Sequence, residues 1–236
     1  MKNIFLSLIF CSLIQAQGFH TLGILMDDAF TPTDIASATV EFFATGDVGL
    51  STATWTDRSG NGRTLTFTNT PTLSSKDGTP TVILNGTDEY GRLEAFTLEQ
   101  PTTVIIVFKT LTLTGGKRVF DGNAGNSMGL FLVEGGVLSM YAGEQISGLG
   151  DPYGEDTWDM HYCVYNGAIS YYQKNSDTPV IGNAGTNDAG GFNLGSFNGT
   201  INASNIEVIA ICVISGVPNA SDKVKLQTYF ARYRDK

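Results

Sequence analysis

Hydrophobic positions in this chain come in short bursts separated by turn formers. Apolar and β-branched runs occupy residues 81–84, 103–108, 129–133, 137–141, 161–165, 169–173 and 206–214. Between them stand Ser59-Gly60-Asn61-Gly62, Asn85-Gly86, Asp121-Gly122, Gly135-Gly136 and Asn166-Gly167, residue types that favour or tolerate positive φ. Short runs recurring every 8–12 residues or so, with this punctuation, predict an all-β sandwich or barrel. Glu134-Gly135-Gly136 and Asn166-Gly167 each join two runs, as hairpin turns do. One helix is predicted, at the C-terminus. Asn219 or Ser221 can cap it, and Leu226, Tyr229, Phe230 and Tyr233 recur at helical spacing on one face.

The N-terminus has a different pattern. Lys2 precedes an apolar stretch over residues 4–14 (IFLSLIFCSLI), interrupted only by serines and a cysteine, and Gln15-Ala16-Gln17 offers a small residue before a cut. This is the layout of a secretory signal peptide, and it is shorter than the ~20 apolar residues of a membrane-spanning helix. Residues 1–16 therefore read as a leader, with an uncleaved apolar N-terminal segment as the alternative. Residues 17–236 read as a single domain, with no linker, low-complexity tract or internal repeat.

Composition narrows the partners. Charged residues make up 16% of the 236, against roughly 25% in an average soluble domain. The 14 Lys and Arg are outnumbered by 23 Asp and Glu, for a net charge of −9. That balance argues against nucleic acid and anionic membranes, which both select basic patches. Cys163 and Cys212 lie in strand-like runs and read either as one disulfide or as two buried thiols. With no C-x-x-C and no Cys/His cluster, a zinc site is not expected.

Three segments in order carry a family resemblance. FTPTDI (30–35), WTDRSGNGRTLT (55–66) and VILNGTDEYGRL (82–93) are followed by PTTVIIVFK (101–109), GVLSMYAG (136–143) and KLQTYFARYRDK (225–236). Together they resemble concanavalin A-like, laminin-G-type jelly rolls, above all the version found in phage virion proteins and bacterial surface or secreted proteins. The chain departs from that pattern where Leu84-Asn85-Gly86 replaces an aromatic and acidic pair. The resemblance covers roughly residues 30–236 and implies an all-β, concanavalin A-like two-sheet jelly-roll sandwich closed by a short C-terminal helix. It also implies a rim calcium site built from carboxylates and backbone carbonyls. Asp57, Asp88 and Asp121 are the candidate ligands, with Asn61 or Asn123 as neutral donors. Calcium takes six to eight oxygens, and the competing reading is that these carboxylates cap their own turns.

The candidate chemistry is recognition. A glycosidase needs two carboxylates at fixed separation, and the E-x-D-x-E strand of the glucanase branch is absent here. The acidic cluster Asp151, Glu155, Asp156 and Asp159, with Pro152 and Gly154, reads as a solvated loop. His20 and His161 are the only histidines, and neither sits in a nucleophile motif, so no enzymatic activity is expected. Sugar binding needs aromatic faces beside amide and carboxylate groups. Trp158, Tyr153 and Asp156, together with Phe192 and Asn193, supply that mixture in loop-like sequence. The resulting expectation is a non-catalytic module binding cell-surface glycans on a virion or as an exported bacterial lectin-like protein. It would act outside the cell, at a cell surface or on a virion surface, with possible homo-oligomers multiplying weak sites. A purely structural virion or surface protein packed against protein partners is the alternative, and a carbohydrate-active enzyme stands third. If the leader is removed after Ala16, N-terminal sequencing of the native protein reads Gln17 first. A native chain starting at Met1 would instead mean that the apolar segment is retained.

Overall fold

The structure is a computed structural model, and it describes residues 30–112, 116–123, 128–133, 137–149, 156–197 and 202–235. Residues 1–16, the Glu134-Gly135-Gly136 turn and Tyr153 lie outside them. In chain order the first strands are β1 (Thr39–Thr45), β2 (Thr54–Trp55), β3 (Leu65–Thr68), β4 (Thr72–Lys76), β5 (Thr79–Asn85) and β6 (Tyr90–Arg92). Next come β7 (Thr102–Thr110), β8 (Lys117–Asp121), β9 (Gly129–Val133), β10 (Val137–Tyr141) and β11 (Gln145–Leu149). The last are β12 (Asp159–Tyr165), β13 (Ser170–Lys174), β14 (Val180–Gly182), β15 (Asn193–Leu194) and β16 (Asn205–Ser215), before helix α1 (Ala220–Asp235). Among the described residues no helix is long and apolar enough to cross a membrane.

Two antiparallel sheets form a sandwich, as the turn spacing predicts. Sheet A runs β14-β13-β12-β7-β16-β5-β4, and sheet B runs β11-β10-β9-β8-β15-β6-β3-β2. β16 is long enough to serve two partners along one edge. Its residues 205–208 pair with β5 and its residues 210–215 with β1, while its other edge pairs with β7.

The central strands of sheet A are apolar without alternation, because both of their faces are covered. Val104, Ile106 and Phe108 face sheet B, against Phe120, Leu130, Leu138 and Leu194. Ile105 and Val107 face outward, against Leu226, Tyr229, Phe230 and Tyr233 of α1. Side chains alternate faces along a strand, so a run buried on every residue needs a cover on each side. The helix supplies the outer one. Asn219 caps it, its Oδ1 accepting from the Asp222 N–H at 2.9 Å, and Asp222 Oδ2 accepts from the Ser37 hydroxyl at 2.7 Å.

The same alternation settles the cysteines. Cys163 belongs to the core between the sheets and Cys212 to the layer beneath the helix. They point to opposite faces of sheet A and both are free, buried thiols. Burial raises both thiol pKa values.

The Trp55 turn closes an open edge. β1 bonds to β16 on one side only, and residues 57–61 occupy the other. Asp57 Oδ1 accepts from the Phe43 N–H at 3.1 Å, and Arg58 N–H donates to the Phe43 carbonyl at 2.7 Å. Asn61 Nδ2 donates to the carbonyls of Val40 and Glu41 at 2.9 and 3.1 Å. Asp57 also accepts from Ser59 N–H (2.8 Å), Ser59 Oγ (2.7 Å) and Arg63 N–H (3.1 Å). Trp55 itself is fully buried and donates its indole N–H to the Thr45 carbonyl at 3.0 Å. An exposed strand edge invites pairing with other chains, and here side chains satisfy it. Asp57→Ala removes four hydrogen bonds to one carboxylate and is expected to lower stability by about 2–3 kcal/mol. A urea midpoint unchanged from wild type would show that the turn does not hold this edge.

Candidate ligand-binding site

Among the described residues no helix covers the outer face of sheet B, and the row of side chains that crosses it is polar. Cross-strand register lines up five side chains on it. Thr54 pairs with Thr66, Thr66 with Arg92, Arg92 with Asn193 and Asn193 with Asp121, across β2, β3, β6, β15 and β8. Strands lie about 4.8 Å apart, so this row spans roughly 20 Å. The residues between them point the other way, Leu65, Phe67, Leu194 and Phe120 entering the core. Gly91 is one of these inward positions: a Cβ there would lie 2.8 Å from Leu65 Cδ2.

Along the row the exposure changes. Thr66 and Arg92 are exposed, Thr54 and Tyr90 are half-buried, and Asn193 and Asp121 are buried. Asn193 Nδ2 donates to the Gly122 carbonyl at 2.7 Å, while its buried Oδ1 has no partner. Asp121 Oδ1 accepts from the Gly122 N–H at 2.8 Å and Oδ2 lies 3.2 Å from Arg118 Nε. The Arg118 guanidinium in turn sits 5.4 Å from the Phe197 ring centroid. Burial raises the Asp121 pKa to about 6, against the opposing pull of Arg118 and of the Gly122 and Met128 N–H groups.

At its β3 end the row opens into a cleft of about 410 Å³ lined by Gly62, Arg63, Thr64, Thr66, Glu94, Ala95 and Phe96. The Asp57 clamp delivers Arg63 to this cleft. The Arg63 guanidinium then lies 4.2 Å from the Phe96 ring centroid and pairs with Glu41 at 3.0 Å. Two hydroxyls, a carboxylate, a guanidinium and an aromatic ring thus converge on one opening. Such a set hydrogen-bonds polyhydroxylated ligands and packs on their apolar faces.

The residues singled out from sequence divide between the two sheets. Asn193 and Asp121 are neighbours on sheet B, as described. Phe192 is 2% exposed and stacks on Phe120 at 5.6 Å, so it is a core residue rather than part of a ligand surface. Its inward direction follows from its place just before β15, where Asn193 takes the outer face. Trp158 and Asp156 lie instead on the outer side of sheet A. Trp158 is half-buried against the layer under α1, with the ammonium groups of Lys76 and Lys109 at 5.9 and 5.7 Å from its ring centroid. Lys109 pairs with Asp156 at 3.3 Å and with Glu207 at 3.1 Å. The Trp158 ring therefore sits in an ion network, apart from the sheet B cleft.

The three aspartates proposed for calcium serve three different turns. Asp57 clamps the edge of β1, and Asp88 Oδ1 accepts from Asn85 Nδ2 at 2.9 Å within the β5–β6 turn. Asn85 Oδ1 gathers the N–H groups of Thr87, Asp88 and Glu89 in that turn. Asn61 and Asn123 spend their amides on backbone carbonyls, Asn123 Nδ2 donating to Leu93 at 2.7 Å. Among the described residues no three His, Cys, Asp or Glu side chains gather where they could hold a metal ion. His161 is buried in the core, its Nδ1 2.7 Å from the Tyr172 hydroxyl, and burial, with the Lys174 charge adding to it, lowers its pKa to about 3.

Sequence reasoning passed over Arg92 and the cleft residues Arg63 and Phe96, and took Tyr90 only as a turn clasp with Asp88. The signal for β6 was present as Tyr90-Gly91-Arg92-Leu93, polar and small or apolar in alternation. Its three-residue length left it looking like the end of the preceding turn.

No protein-family model matches the chain, and no curated protein sequence does. Solved structures do. Domain 4 of AbnA, an extracellular GH43 arabinanase of Geobacillus stearothermophilus solved with arabinotriose, superposes with a TM-score of 0.62 at 17% identity, covering 82% of this chain and 98% of that one. The binding domain of Paraclostridial Mosquitocidal Protein 1 gives 0.63 at 11% identity, covering 86% of this chain and 53% of that one. A Trypanosoma rangeli sialidase in complex with sialic acid gives 0.60 at 12% identity, with 82% of this chain matched to 33% of the enzyme. The chain thus spans about half of the toxin domain and a third of the sialidase, and the likeness is one of fold.

The raised Asp121 pKa has a consequence with a definite sign. A carboxyl whose folded value lies above its unfolded value of 3.8 stabilises the fold fully below that value, and loses this contribution as pH rises through about 6. Wild-type stability is expected to decline between pH 4 and 7 by more than that of Asp121→Asn, which has no proton to lose there. Parallel denaturation curves for the two proteins across that range would contradict the assignment.

Proposed function

We propose that this protein is a non-catalytic recognition module that binds cell-surface glycans through the cleft and the open face of sheet B. The observation that carries this reading is the asymmetry of the sandwich. Sheet A is roofed by α1, whereas sheet B presents a polar row continuous with a cleft of about 410 Å³ that joins Phe96 to hydroxyl and charged groups. The arabinanase domain solved with arabinotriose and the toxin's binding domain lend support, since recognition domains of this shape exist. The lining of the cleft carries one carboxylate, Glu94, where two-carboxylate glycoside hydrolysis needs a pair. The neutral, core-buried His161 likewise favours binding over catalysis.

The finer setting belongs to the same proposal: a concanavalin A-like, laminin-G-type domain displayed on a virion, or exported to a bacterial surface. Display in several copies lets weak sites act together, and calcium is a candidate ligand of the assembly. A second reading, a structural surface protein packed against protein partners, draws on the apolar edge at β14. There Ile181 is 70% exposed and the nearby Ile169 is 65% exposed, more than a solitary apolar residue needs to explain.

A glycan array with and without calcium tests the proposal. Binding is expected, and Thr66→Leu, which removes an exposed hydroxyl and adds uncharged bulk to the lining of the cleft, should weaken it at least tenfold while leaving the melting temperature unchanged. An array blank in both conditions, with larger assemblies in sedimentation, would replace this reading by the structural one.

A further inference from the structure

The sheet B site contains one side chain out of keeping with the rest of the molecule. Six arginines fall among the described residues, and five are already engaged. Arg58 faces Asp47 at 3.8 Å and the Phe43 ring, and Arg63 faces Glu41 and the Phe96 ring. Arg118 meets Asp121 and Phe197, Arg232 lies over Tyr229 at 3.6 Å, and Arg234 pairs with Asp235. Arg92 is the sixth. It is exposed in the middle of the row, and among the described residues its guanidinium has neither an ion pair nor a side-chain hydrogen bond. In a chain of net charge −9, with carboxylates abundant, a surface arginine left without one stands out.

Its flanks are suited to a sugar. Thr66 lies one strand away on one side and Asn193 on the other, each directly opposite Arg92 in register. Asn193 is buried, and its Oδ1 is an acceptor without a partner. Tyr90 stands two residues along β6 on the same face and is half-buried. An exposed hydroxyl and a half-buried tyrosine therefore flank a planar cation with its donors unspent, and the buried Asn193 closes its other side. A guanidinium fork matches two oxygens of a carboxylate or sulfate and binds them far better than it binds a neutral hydroxyl.

We propose that the ligand of this face is an anionic glycan, and that Arg92 receives its carboxylate or sulfate while the exposed Thr66 hydroxyl bonds to a neighbouring hydroxyl of the sugar. This rests on the glycan-binding reading and adds the charge of the sugar to it. Overall charge would steer such a ligand away, so selectivity comes from the short-range fork at Arg92.

The experiment compares the full chain, Arg92→Gln and Arg92→Lys for binding to immobilised tetragalacturonate, a heparin-derived tetrasaccharide, and neutral counterparts including methyl-esterified tetragalacturonate. Wild type is expected to bind at least one acidic probe tenfold or more tighter than the neutral ones, and to weaken as salt rises. Arg92→Gln should abolish that preference, Arg92→Lys should keep part of it, and melting curves should coincide. Preference for tetragalacturonate assigns a carboxylate, and preference for the heparin fragment a sulfate; either upholds the proposal. Neutral and acidic probes bound alike, or an acidic preference untouched by Arg92→Gln, overturns it and leaves glycan binding standing. If wild type binds nothing in this panel or on the wider array, the glycan reading falls as well.

Discussion

β7 and β16 have to be covered on both faces, and the rest of the molecule is arranged around that need. Every residue of β16 between Ile206 and Val213 is buried, as is every residue of β7 except Lys109. Burying a large aliphatic side chain is worth about 1.5–3 kcal/mol, so exposing either face of these strands would forfeit several such contributions. Sheet B covers the inner face. On the outer face the four apolar side chains of α1 do so, with Phe43 and Ile35 from the start of the domain. With the helix committed to sheet A, no described helix covers the outer side of sheet B, and the row that crosses it is polar, exposed at Thr66 and Arg92.

The second constraint is an edge. β1 reaches β16 and has no further strand beyond it among the described residues, where the turn over residues 57–61 meets its edge with side chains. Asp57 and Asn61 bond to the backbone of residues 40–43, and the same Asp57 carboxylate holds the Arg63 N–H. The turn that seals the sandwich therefore also places Arg63 against Phe96 in the cleft. Structure and recognition share these residues: Asp57 touches no ligand surface itself and acts through the chain segment it fixes.

Among its buried polar groups the protein keeps a few that are incompletely bonded, and several cluster under sheet B. The unpartnered Oδ1 of Asn193 and the desolvated carboxylate of Asp121 are side by side. Buried polar atoms are nearly always satisfied in folded proteins, so their concentration near Arg92 marks this part of the sheet as different from the apolar layer beneath it. The Trp158 region is the reverse case. Its lysines and carboxylates neutralise one another, which is the arrangement of a solvated surface network.

Much of this was legible in the chain itself. The all-β class followed from short runs between Gly, Asn and Asp, the helix from Leu226, Tyr229, Phe230 and Tyr233, and its cap was narrowed to Asn219 or Ser221, of which the structure uses Asn219. Trp55 as a core residue and Asp57 as a turn carboxylate were likewise readable, because each acts on residues close in sequence or through local periodicity. Which face a residue occupies across the sandwich was not. Phe192 and Asn193 look alike in a glycine-rich loop, yet one stacks on Phe120 in the core and the other joins the polar row. Cys163 and Cys212 read equally as one disulfide or as two buried thiols, and only the fold shows that they point to opposite sides of one sheet. Arg92, Asn193 and Asp121 are far apart in the chain and become neighbours only through cross-strand register. Local sequence specifies turns, caps and the tendency to form strands. The order of strands in a sheet and the covering of its faces are decided by long-range burial, and the candidate site is made of those long-range neighbours.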